Sequence, residues 1–397
     1  MNKMFRTITK TLFAAVAATL MAGCSSDNND TTQALTVQVK VVMPEEVTNG
    51  TAYAGHTVTL GKYAATTDAQ GVATFENVIP DVYDIATSAD ISIADYKTLT
   101  GKDASGEGFM ISGSLLKQTV GSSATITLKT VFSVKESIVI SKVYYAGTKD
   151  NNNKNYVAAQ YIELFNNSDK AVDASGLYLG MVESESTPAY TLGSTPGYIY
   201  LKQIYQIPAG TPKEVPAGGS ILITNSAIDH TDNNDVDLSG ADYEAKDASG
   251  KTTNNPATPA LTLVYSYLSS ISKINFMAGG ASSIVLFRTD EDVKSWEKVY
   301  KDGASKGNMF VKAPAQYVID GVECLKMKTT GVDVASKRLY DYIDAGYTHI
   351  EAISGYNGQV AYRKKGTSAT ERTVLADTNN SSNDFAVSAD IKPREYK

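Results

Sequence analysis

The densest group of side chains able to do chemistry is the run Asp229 to Asp247, DHTDNNDVDLSGADYEAKD. Calcium takes several oxygen ligands from one loop, with acids at alternate positions around a glycine turn. Asp235, Asp237, Ser239 and Gly240 fit the first half of that pattern, D-x-D-x-S-G. The twelfth position, where the closing acid belongs, holds Lys246, so Asp242 and Glu244 are the substitutes this reading needs. The same composition also suits a solvated loop joining two strands.

Three histidines, His56, His230 and His349, lie in separate segments, and none has a second metal ligand at the close spacing of a zinc site. Cys324, in the strand-like run VIDGVECL, reads as a small buried hydrophobe. The chain lacks a phosphate loop and a dinucleotide fingerprint. The expectation is therefore a non-enzymatic protein without a cofactor other than calcium. The alternatives are a structural or adhesive stack of β-modules and a hydrolase assembled from distant residues, with His230 or His349 against a Ser or Cys nucleophile. Tyrosines gather at Tyr190, Tyr198, Tyr200 and Tyr205, and again at Tyr265 and Tyr267. Exposed, such rings offer a stiff stacking surface for a ligand.

The amino terminus carries an address. Lys3, Arg6 and Lys10 precede Leu12 to Gly23, LFAAVAATLMAG, an uncharged stretch of twelve residues. As a helix it would rise about 18 Å, well short of a hydrocarbon core of roughly 30 Å, so it reads as a cleaved leader. LMAGC ending at Cys24 resembles a bacterial lipobox, which implies cleavage before Cys24 and lipid on its sulfur. Ser25 to Asp30, SSDNND, is similar to the acidic export signal that Bacteroidetes lipoproteins carry behind that cysteine. The expected location is the outer membrane, lipid-anchored and facing the exterior.

Removing residues 1–23 leaves 374 of 397 residues and takes away three positive charges, moving the formal net charge from −7 to −10. The lack of a long Lys/Arg cluster argues against nucleic acid as a partner. Arg363-Lys364-Lys365 reads as a solvated turn. A single remaining thiol cannot form an internal disulfide, so folding must rest on apolar burial.

The elements that position these residues are strands. Leu35, Val37, Val39 and Val41 alternate with polar residues, and Ala124 to Lys129 repeats the period of two. TDAQGVATF, Thr67 to Phe75, reads as a hairpin closed by Gly71 and Asp68, and NVIPDVYDI, Asn77 to Ile85, as a second turn and strand. Together these resemble the prealbumin-like, carboxypeptidase-regulatory-like sandwich, with Asp81 where that family has Gly. IVIS-x-V from Ile138, YIELFNN from Tyr161, VD-x-SGL-x-L from Val172, IPAG from Ile207 and VPAGG from Val215 resemble, in order, the lamin-tail domain, with Lys142 where that family has an acid. The resemblance implies an all-β chain: leader 1–23, acidic tether 24–34, prealbumin-like sandwich 35–133, and an enlarged lamin-tail-like sandwich with a long insertion over 134–397. Val334 to Asp344 is the one helical signature, with Val334, Leu339 and Ile343 on one face. As a whole the chain is similar to a lipoprotein family of Bacteroidetes, which implies a surface role beside a TonB-dependent outer-membrane transporter.

Overall fold

The computed structural model describes residues 34–104, 108–367 and 371–397. Cys24, the leader and residues 24–33 of the tether lie outside them. Ala34–Lys397 forms one compact unit. It is built of strands with few helices, the all-β class expected.

In the N-terminal sandwich, Leu35–Val42 lies between Val72–Val78, antiparallel, and Ala124–Lys129, parallel. Facing it is a five-stranded sheet in the order Tyr63–Thr66, Thr57–Leu60, Asp81–Ile91, Phe109–Val120, Val131–Val134. The alternation in Leu35–Val42 sends Val37, Val39 and Val41 inward against Val58, Leu60, Ile85 and Leu128. The hairpin closes as its residues dictate. Gly71 adopts φ +77°, and the Asp68 carboxylate accepts from Gln70 N at 2.8 Å and Val72 N at 2.9 Å.

The larger sandwich pairs two sheets. One is six-stranded, in the order Tyr243–Glu244, Ser220–Thr224, Tyr161–Asn166, Ile138–Tyr144, Val360–Arg363, Phe385–Ser388. The other has seven strands: Lys298–Tyr300, Met309–Pro314, Tyr198–Gln206, Tyr178–Val182, Ile284–Phe287 and Val318–Val322, with Thr262–Ser266 also paired to Tyr198–Gln206. The second sheet is buried on both faces. Ile284 and Leu286 join the core shared with Ile140, Ile162 and Ile221, whereas Val285 and Phe287 point the other way, into a second core with Trp296, Leu339 and Ile343.

That second core explains why the expected helix over 334–344 is absent. Only Val334–Ser336 forms a 3-10 turn. The buried Glu323 carboxylate then accepts from Arg338 N at 2.8 Å and Leu339 N at 2.6 Å, taking amides a helix would have used. Leu339 and Ile343 still turn inward, but from an irregular cover. The sequence reading missed Ile93–Thr100, a helix whose cap is legible in hindsight: Ser92 Oγ accepts from Asp95 N at 3.0 Å, and Gly101 ends it at φ +74°.

Candidate binding site

A cleft of roughly 630 Å³, open to solvent, lies at one edge of the seven-stranded sheet. Tyr198 opens the strand Tyr198–Gln206 just after Gly197, which turns the chain at φ +83°. The neighbouring strand pairs Pro314 with Tyr198 and Lys312 with Tyr200. Lys312 Nζ therefore reaches to 4.5 Å above the Tyr198 ring and 2.8 Å from Glu297 Oε2. The Glu297 carboxylate, hydrogen-bonded to it, raises the Lys312 pKa above its ordinary value.

The opposite wall is Trp296, the chain's single tryptophan. The short turn Val293–Ser295, capped by Asp292, delivers it. Its Nε1 donates to Glu291 Oε2 at 2.7 Å, and Tyr317 OH donates to Glu291 Oε1 at 2.5 Å. Those two bonds hold the Glu291 carboxyl below its ordinary pKa. Behind it the rings stack in a row: Tyr317 and Trp296 lie 5° from parallel, Phe287 follows at 5.6 Å, and Tyr178 stacks on Phe287 at 4.9 Å. The cleft thus combines the half-exposed Tyr198 ring and the buried edge of Trp296 with exposed Glu291 and Glu297 and a half-buried Lys312. It can stack and hydrogen-bond a ligand.

Of the expected tyrosines only Tyr198 serves such a surface, at 36% exposure. Tyr200 and Tyr205 are corrected to core residues, each 1% exposed; Tyr205 OH donates to Ser272 O at 2.9 Å. Alternation along a sheet covered on both faces leaves neither ring free. Tyr265 and Tyr267 are half-buried. Tyr265 OH donates to Met309 O at 2.8 Å, and Tyr267 OH accepts from Asn275 Nδ2 at 3.0 Å.

The acidic run does not converge on a cation. Asp235 accepts from Tyr144 OH at 3.0 Å and from Val236 N, and burial pushes its pKa up to about 6. Asp237 accepts from Ser239 N at 2.9 Å. Asp242 binds Lys213 at 2.7 Å, Arg394 at 2.8 Å and Leu222 N at 2.9 Å. Glu244, fully buried, accepts from Ala227 N and Asn255 N and pairs with Lys246, the very residue that broke the calcium pattern. Among the described residues no group of three His, Cys, Asp or Glu is disposed to hold a metal.

His230 is engaged at both ring nitrogens: Nε2 donates to Ser226 O at 2.9 Å, and Nδ1 accepts from Tyr156 OH at 2.6 Å. Burial lowers its pKa. Cys324 is fully buried, and burial pushes its thiol well up.

Two buried charge sites escaped the sequence reading. Lys142, noted there only as a departure from the family's acid, lies 2.9 Å from Glu163, with side-chain exposures of 1% and 0%. The Tyr396 ring covers its Nζ at 4.1 Å, and Arg394 N donates to Glu163 at 2.7 Å. Arg363, expected in a solvated turn, is instead 2% exposed. It bonds Asp320 at 3.1 Å, Asp377 at 3.1 Å, Asp384 at 3.4 Å and Ile140 O at 3.0 Å. Its last position in Val360–Arg363, facing strand Ile138–Tyr144, forces the guanidinium inside, and only distant acids make that tolerable.

A protein-family profile described as a protein of unknown function (DUF4876) matches residues 216–391. The crystal structure of a DUF4876 family protein from Bacteroides thetaiotaomicron superposes with a TM-score of 0.58 at 20% identity, covering 89% of this chain and 94% of that one, a likeness of fold. The major pilin subunit BcpA of Bacillus cereus, at 12% identity and a TM-score of 0.14 over 75% of this chain and 96% of that one, carries no argument. No curated protein matches. Over residues 216–391, then, the chain is similar to the DUF4876 family, with a fold like that of its Bacteroides member.

Proposed function

We propose that this chain is a non-enzymatic surface lipoprotein, held in the outer membrane by lipid on Cys24, that binds a ligand or protein partner in the cleft between Tyr198 and Trp296. The basic start and the Ala22-Gly23-Cys24 sequence support the anchor. An outer-membrane transporter is the partner class that the lipoprotein resemblance implies. The single observation carrying the binding role is the cleft. Its Trp296 wall is fixed by hydrogen bonds and ring stacking, so little freedom of that side chain remains to be lost on binding. Engagement of both His230 nitrogens and burial of Cys324 favour binding over hydrolysis.

Trp296 makes the test direct, because the intrinsic tryptophan emission comes from the cleft alone. A panel of soluble oligosaccharides and peptides is titrated against the protein. The expected result is a saturable emission change that Tyr198→Ala abolishes. The proposal fails if no ligand shifts the emission and a photo-crosslinker at Glu297 yields, in native membranes, the same products as one at Leu263.

A further inference from the structure

The N-terminal sandwich has two distinct ends. At one, the chain enters at Leu35, paired with Val78, and Thr36 N donates to Ser123 Oγ at 3.1 Å. Asp81 pairs with Val120 beside it, and the Leu60–Tyr63 turn lies at the same end: Tyr63 OH accepts from Ile79 N at 3.3 Å, and Tyr83 OH donates to Ile79 O at 2.6 Å. At the other end Val42 pairs with Lys129 and its carbonyl accepts from Thr130 N at 3.0 Å. From there Val131–Val134 leads into the larger sandwich. The eight-residue strand Leu35–Val42 separates the ends by about 23 Å.

Large apolar side chains are exposed at both ends of this sandwich. Val42 and Val134, 40% and 49% exposed, are at the end that continues into the larger sandwich, and Val134 lines a groove against Val318 and Tyr342. Ile79 and Val82, 50% and 48% exposed, crown the turn at the entry end, with Pro80 half-buried between them. Between Cys24 and Leu35 lie ten residues, which reach at most about 36 Å when extended. A bilayer holding acylated Cys24 is thus the apolar phase this turn can meet.

We propose that the Ile79–Val82 turn rests in the boundary between headgroups and acyl chains of the bilayer that holds Cys24, so that the sandwich stands as a spacer with the larger body outward. This rests on the lipoprotein reading above. Asp81, whose carboxylate accepts from Val82 N at 2.7 Å, keeps the contact shallow, its charge staying among the headgroups while the flanking Ile and Val enter the acyl boundary.

The experiment uses the acylated protein in phosphatidylcholine vesicles, with an environment-sensitive dye on Ile79→Cys or, on the larger sandwich, on Leu263→Cys. Burial of Cys324 and acylation of Cys24 direct the dye to the introduced thiol. The expected result is a blue shift and quenching by a lipid-borne quencher at position 79, with neither at 263. Identical aqueous emission at both sites, with Cys24 acylated by mass spectrometry, overturns the membrane-contacting turn and leaves the anchor standing. An unacylated residue 24 overturns the anchor reading and this proposal with it.

Discussion

Replacing Lys142 with Met tests how the larger sandwich tolerates charge in its core. Burial outweighs the attraction of Glu163 and lowers the pKa of Lys142, so the pair is held by geometry and neighbours more than by solvation. Met fills much of the lysine's volume, and the main change is a carboxylate left without its cation at 0% side-chain exposure. Breaking a buried pair from one side costs about 3–5 kcal/mol. Glu163 retains bonds from Arg394 N at 2.7 Å and Tyr396 OH at 2.5 Å, which points to the low end, about 3 kcal/mol. For a domain of this size that lowers the melting temperature by about 6–12 °C. The double replacement Lys142→Met/Glu163→Leu removes both charges and should recover most of the loss, since apolar substitutes for a buried pair are often neutral or better. Calorimetry and urea unfolding of wild type, both single variants and the double variant close the cycle. A Lys142→Met protein within about 0.5 kcal/mol of wild type, or a double variant as unstable as the single, refutes the reasoning.

Burial raises Asp384 to about 6 and Asp320 to about 7 from 3.8, so the native state holds protons that the unfolded chain has released. Their stabilising contribution is complete below about pH 4 and is lost as pH rises towards 7. Asp384→Asn lacks its share, and its stability relative to wild type should rise between pH 4 and 7; parallel pH profiles would contradict this. Tyr200→Ala should cost about 3 kcal/mol or more by emptying a core site, while Tyr198→Ala leaves the melting temperature nearly unchanged and removes ligand response in the cleft. Gly113→Ala drives a Cβ to 2.3 Å from Lys129 O in the N-terminal sandwich, an overpacking cost of about 2 kcal/mol measurable by urea unfolding. EDTA should leave the melting temperature where it is, because the acids of 229–247 are spent on amides and bases; a drop of several degrees by calorimetry would reinstate calcium there.

Local signals were legible wherever short-range physics decides. Strand alternation at Leu35–Val42, the Asp68–Gly71 turn and the motif order from Ile138 to Gly219 all correspond to elements in the folded chain. The helical spacing picked out Leu339 and Ile343, which turn inward, but not Val334, which stays half-buried, and it misjudged the backbone, because Glu323 lies in another segment and takes the amides. The cleft was half legible. Tyr198 was named from the sequence, but Trp296, Lys312 and Glu291 meet it only through sheet pairing and a capped turn.

Period and turn chemistry act over a few residues, so the sequence by itself determined that this protein is all-β, where strands such as Leu35–Val42 lie, and which residues resemble an export leader with a lipid-bearing cysteine. Tertiary structure alone decided which tyrosine faces solvent, that Lys246 neutralises Glu244, that Lys142 finds Glu163, and that Arg363 gathers three acids from two other segments. A buried charge survives only with partners within a few ångströms, and those partners are supplied by pairings across tens or hundreds of residues that no local pattern encodes.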